Sequence, residues 1–174
     1  MRSPCARLAS RGVMGLVVSA VLLFSCGQAW AGKPSAPPAV PFKGVAEEQA
    51  ISAVPVDPDH VFVTTVGGGS ATHLGAFTFV SPHLSGLSDF SIDGTQMFTA
   101  ANGDELDADI VGQLHPEVDA TGHVFLVGDV TGTITGGTGR FDNASGSFTF
   151  SIVFDTETFH STGAIDGVIR FAGK

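Results

Sequence analysis

The 174-residue chain has no tyrosine, one tryptophan, two cysteines, and eight lysines and arginines against seventeen acids. Each shortage excludes something. Trp30, Cys5, Cys26 and three of the bases fall within the first 31 residues, and only Lys33, Lys43, Arg140, Arg170 and Lys174 are basic beyond them. A chain this acidic, with no basic cluster, lacks the electrostatic footprint that phosphate backbones and anionic membrane surfaces require, so nucleic acid is not an expected partner. With no cysteine after residue 31, neither a disulfide frame nor a thiolate metal site is available there, and a domain must be held by its core alone. The absence of tyrosine also argues against a sugar-binding face, which would stack on such rings.

What is present at the N-terminus reads as a secretory signal peptide over residues 1–31. Arg2, Arg7 and Arg11 precede an apolar run from Val13 to Phe24, and Ala29 and Ala31 suit cleavage before Gly32. The run is too short to span a bilayer comfortably. The expected location is therefore secreted or periplasmic. A competing reading takes Leu23-Phe24-Ser25-Cys26 as a lipidation site that would anchor the chain through Cys26; the bulky Phe24 argues against it. Residues 32–42, with Pro34, Pro37, Pro38 and Pro41 among small residues, form a Pro-rich tether.

Residues 43–174 read as a single all-β domain. Short apolar runs recur between turn residues at intervals of about ten, which is the pattern of antiparallel sandwiches and barrels. The spacing predicts strands near 43–53, 59–67, 71–80, 88–93, 95–101, 105–114, 122–135, 146–154 and 164–172. The breaks include Gly67-Gly68-Gly69-Ser70, the Pro82-His83 segment between Ser81 and Gly86, Asp93-Gly94 and Asn102-Gly103. A short helix over Val45 to Ser52, around Glu47-Glu48-Gln49-Ala50, is the minority alternative. The stretch from Gly132 to Phe154 reads as a hairpin, with Leu126, Val130 and Ile134 on one parity and Phe148, Phe150, Ile152 and Phe154 on another. No connection is long enough for parallel crossovers, so the expected architecture is a closed antiparallel barrel of about eight strands. Interior glycines would permit the coiling, and thirteen phenylalanines after the leader would supply a hydrophobic interior.

Several motifs resolve into ordinary structure. Gly136-Gly137-Thr138-Gly139-Arg140 resembles a phosphate-binding glycine loop in composition, yet the residues after it alternate as a strand and open no helix, so no nucleotide cofactor is implied. Glu105, Asp107 and Asp109 alternate with Leu106, Ala108 and Ile110, which is a solvated strand face rather than a calcium loop. The histidines show no metal-ligand spacing, and no G-x-S-x-G elbow occurs.

Three segments stand out together: Ala71-Thr72-His73-Leu74-Gly75-Ala76-Phe77-Thr78, Phe98-Thr99-Ala100-Ala101-Asn102-Gly103-Asp104-Glu105-Leu106, and Gly136 to Ser147 with its Gly-Gly-Thr-Gly-Arg-Phe turn. They resemble a family of bacterial exported proteins. The third also resembles a turn of dirigent proteins and allene oxide cyclase-like barrels. That resemblance implies an eight-stranded calycin-type barrel, whose relatives include cyclases and stereochemical guides that hold hydrophobic substrates in the barrel mouth.

The expected site is built on His73, placed on the face of Gly75 and Phe77, with Asn102 and Asp104 in a neighbouring tight turn. Asp104 accepting a proton from the imidazole would fix its tautomer, giving either a structural clasp or the polar corner of a ligand pocket. Parity adds Gln96 and Asp129 as further polar candidates for the lumen. Two functional classes remain. One is a non-catalytic exported barrel that binds a hydrophobic small molecule or a partner, or acts structurally in the envelope. The other is a lumenal cyclase or isomerase without a cofactor.

Overall fold

A computed structural model describes residues 37–172. The expected signal peptide, its cleavage site, the Cys26 alternative and the first part of the tether lie outside the described residues. The described chain forms eight strands: β1 (Val40–Pro55), β2 (His60–Ala71), β3 (Gly75–Gly86), β4 (Ser91–Ala100), β5 (Glu105–Val118), β6 (Val124–Gly137), β7 (Ser145–Asp155) and β8 (His160–Arg170). Each pairs antiparallel with its neighbour in sequence, and β1 also pairs with β8, which closes the barrel. A single 3-10 turn, Gly139–Phe141, joins β6 to β7, and no α-helix occurs among the described residues. The segment 45–52, the helix alternative, lies inside β1.

The parity argument locates the interior. Phe148, Phe150 and Ile152 are buried and Phe154 is partly buried, while Ser147, Ser151 and Val153 between them face out. Leu106, Ala108 and Ile110 point inward, leaving Glu105, Asp107 and Asp109 on the outer face. Barrel closure satisfies every edge, so no strand presents an unpaired ladder to solvent.

One half of the barrel is filled. Phe42, Phe77, Phe79, Phe98 and Phe148 pack as edge-to-face and tilted rings with centroids 5.4 to 6.4 Å apart, arrangements that aromatic quadrupoles favour. Phe42 is completely buried. The barrel therefore begins at Val40, and Val40, Pro41 and Phe42, which the sequence assigns to the tether, belong to β1. Gly132 sits opposite Phe148 in the β6–β7 register, and a Cβ there would run into the Phe148 ring; the ring folds across its neighbouring strand because that strand has no side chain.

Four of the expected breaks are instead strand. The glycine run 67–70 continues β2 to Ala71, the Pro82-His83 segment lies within β3, Asp93-Gly94 lies within β4, and His115-Pro116-Glu117, also expected as a break, lies within β5. In the β3–β4 ladder no pair bridges positions 81–82 with 95–96. Pro82 has no N–H to donate, and the Ser81 hydroxyl reaches the Thr95 carbonyl at 3.2 Å instead. Gly94 pairs with His83, and a Cβ on it would sit 2.6 Å from the Cβ of His83. The glycine permits close approach of a strand rather than a turn.

Candidate functional site

The connections divide between two ends. The segments 72–74, 101–104 and 138–144 gather at the filled end, and 56–59, 87–90, 119–123 and 156–159 at the other. Towards this second end the lumen is open, leaving a cavity of about 300 Å³. Its two sides differ in chemistry. Ile110, Leu114, Leu126, Val130, Phe150 and Ile152 from β5, β6 and β7 make an apolar wall. Across from it, β8, β1, β2, β3 and β4 contribute Ser161, Glu48, Thr65, Ser81, His83 and Gln96.

Glu48 organises the polar wall. Its Oε1 accepts from the Ser161 hydroxyl at 2.8 Å and its Oε2 from the Thr65 hydroxyl at 3.1 Å. Both oxygens act as acceptors. Among the described residues Glu48 is the one acid lining the cavity, and no lysine or arginine lines it.

His83 is 9% exposed. Its Nδ1 lies 3.1 Å from the Ser81 carbonyl, an acceptor, so Nδ1 carries the proton and the neutral ring presents the Nε2 lone pair. Burial holds its pKa below the ordinary imidazole value, opposed by the Ser81 hydrogen bond and the Glu48 charge. Gln96 is 4% exposed. Among the described residues neither His83 Nε2 nor the Gln96 amide has a hydrogen-bond partner, and neither is sealed away as an unsatisfied buried atom. Both therefore open onto the cavity they line. Two phenylalanines complete the site: Phe90 and Phe159, with φ of 54° and 58°, hold left-handed backbone conformations and line the cavity from the turns at its mouth. Bulky residues rarely accept this region, and where they do the surrounding structure imposes it.

The site expected from sequence lies at the filled end and is arranged differently. His73 occupies the β2–β3 turn with φ of 68° rather than a strand face. Its Nε2 bonds the Pro41 carbonyl at 3.1 Å and its ring meets Phe171 edge-on at 5.3 Å. The expected hydrogen bond from His73 to Asp104 is replaced by this contact with β1. Asp104 bonds Asn102 Nδ2 at 2.9 Å and the Arg140 N–H at 3.1 Å, and Asn102 Oδ1 accepts the Asp104 N–H at 3.2 Å. The Arg140 bond first, then Asn102, keeps the Asp104 pKa low. Asn102 and Asp104 thus tie the β4–β5 turn to the β6–β7 connection, and His73 separately ties the β2–β3 turn to the start of β1.

Of the other lumenal candidates, Gln96 faces the cavity, while Asp129 lies outside, accepting the Ser151 hydroxyl at 2.7 Å. Sequence reasoning missed Glu48, which it placed in the strand 43–53 without a role, and His83, which it placed in a loop. The signal that could have found His83 is its parity with Phe77, Phe79 and Ser81, provided Pro82 is allowed inside a strand.

Among the described residues no three His, Cys, Asp or Glu side chains gather as a metal site would, and no helix is long and apolar enough to cross a membrane. No protein-family model and no curated protein matches this sequence.

Proposed function

We propose that this protein is an exported barrel that binds an apolar small molecule in its lumen. The observation that carries the reading is a half-empty barrel whose roughly 300 Å³ cavity combines an apolar wall with His83 Nε2 and the Gln96 amide, polar groups of two buried residues that open onto the lumen with no partner among the described residues. Such a cavity, mostly apolar with a few converging polar groups, is the usual form of a small-molecule site. The resemblance of the Gly136 to Ser147 segment to dirigent and allene oxide cyclase-like barrels supports the same reading. Export rests on the leader: intact mass of protein recovered outside the cytoplasm should begin at Gly32, and a lipid on Cys26 would instead make it an anchored protein.

The test is a neutral solvatochromic dye such as Nile red, titrated into the wild type and into Val130→Phe, which fills the apolar wall. The dye should brighten with the wild type and much less with the variant. Equal brightening in both would place binding outside the lumen.

A second reading rests on one feature. The free Nε2 lone pair of a histidine held neutral by burial is suited to accept a proton from a bound substrate. A cyclase or isomerase would therefore work through His83, with Gln96 orienting the substrate and no cofactor, and His83→Asn would abolish turnover while leaving ligand binding in place.

A further inference from the structure

Resting on the lumen-binding reading, we infer that the ligand is a cation, an apolar amine that sets its ammonium group against Glu48. The lumen offers mainly acceptors. Glu48 brings a carboxylate whose partners are two hydroxyls, His83 brings a lone pair at Nε2, and the Gln96 amide and the Ser85 hydroxyl each supply a donor beside their own acceptor oxygen. A carboxylate or phosphate head would meet the Glu48 charge with no lysine or arginine to relieve it. An ammonium supplies the donors that a carboxylate takes and the countercharge that the described lining residues withhold.

The distribution of charge around the barrel supports the assignment independently. All four turns at the open end carry acids: Asp57 and Asp59, Asp89, Asp119, and Asp155 with Glu157. The described lysine and arginines, Lys43, Arg140 and Arg170, all lie towards the filled end. The same device recurs in the four turns, since Asp57, Asp89, Asp119 and Asp155 each accept the N–H two residues on, at 2.8 to 3.0 Å. These bonds and their side-chain companions keep the four carboxylates ionised. A ring of fixed negative charge around a low-dielectric opening concentrates cations at the mouth and repels anions.

The experiment compares three chains of equal length, octylamine, octan-1-ol and octanoate, titrated into the full-length mature protein at pH 7.5. Binding is read on the methyl resonances of the lumenal residues Ile110, Ile152 and Val130. Octylamine should bind at least about tenfold more tightly than octan-1-ol, the margin by which a hydrogen bond to a charged group exceeds a neutral one, and octanoate most weakly. Glu48→Gln should bring octylamine down to the level of octan-1-ol. If octan-1-ol or octanoate matches octylamine on the wild type, the amine assignment is wrong while the lumen reading stands. If none of the three moves the lumenal methyls, the lumen reading itself fails. The wild-type series decides between these outcomes even if Glu48→Gln does not fold.

Discussion

Glu48 and Ser161 face each other across the seam where β1 closes onto β8, register partners joined by a 2.8 Å hydrogen bond from the Ser161 hydroxyl to Oε1. Ser161 is almost fully buried. Ser161→Ala removes one of the two donors that hold the carboxylate in place, and hydrogen bonds to charged groups are worth about 1.5–3 kcal/mol. We expect urea melts to show a loss near the lower end of that range, because Glu48 keeps some access to the open lumen. An unchanged midpoint would show that water replaces the hydroxyl at no cost.

Phe150 stands between the two halves of the barrel, 2% exposed, and lines the cavity. Phe150→Ala should cost about 3–5 kcal/mol, since the lumen is already hollow beside it and cannot collapse around the deletion. The neighbouring Ser151→Ala, on the outer face, should stay within about 1 kcal/mol, its loss limited to the bond with Asp129. Comparable losses in the two variants would reverse the inward and outward faces of β7.

His83 makes stability depend on pH near neutrality. Because burial lowers its folded pKa below the ordinary value of 6.5, the unfolded chain takes up the proton first as the pH falls. Stability should therefore decline from about pH 6.5 downward until the folded pKa is passed, and hold above it. His83→Asn should flatten the profile across this window in parallel denaturant melts; an identical slope in the variant would assign the dependence to another group.

Asp155 acts at lower pH, with its pKa likewise shifted downward. Its Oδ1 accepts from the Glu157 and Thr158 N–H groups and sits 2.9 Å from His123 Nε2. These contacts, led by the Glu157 N–H, hold its pKa at about 2 against 3.8. The contribution is complete above the unfolded value and is lost as the pH falls from 3.8 through about 2. Carbon-detected carboxyl titration should place Asp155 below the other acids, and Asp155→Ala should disorder the turn that carries Phe159, whose N–H bonds the Asp155 carbonyl at 2.9 Å, without moving Phe148 at the filled end.

The exclusions and the architecture were available in the residues themselves. Alternation over Phe148 to Phe154 and over Leu106 to Ile110 reports which face meets the core, because side chains in a strand point to opposite sides whatever the strand pairs with. The turn at Asn102-Gly103, where Gly103 has φ of 86°, is likewise local, since positive φ selects for glycine.

Only the tertiary structure decided the site. Pro82 and Gly94 carry the residue types of turns, and the parity of His83 with Phe77, Phe79 and Ser81 is the one local sign otherwise. Their strand placement depends on β3 and β4 meeting, where Gly94 makes room for His83 and the Ser81 hydroxyl takes the carbonyl that Pro82 leaves free. Glu48 meets Thr65 through the pairing of β1 with β2, but Ser161 comes from β8, 113 positions from Glu48 in the chain, and meets it only because the barrel closes. His73 went the other way: its motif drew attention, but the turn that holds it directs Nε2 to the Pro41 carbonyl at the filled end. Periodicity follows from backbone geometry, which each residue carries alone, whereas the convergence of polar groups in a lumen follows from closure, which no stretch of the sequence contains.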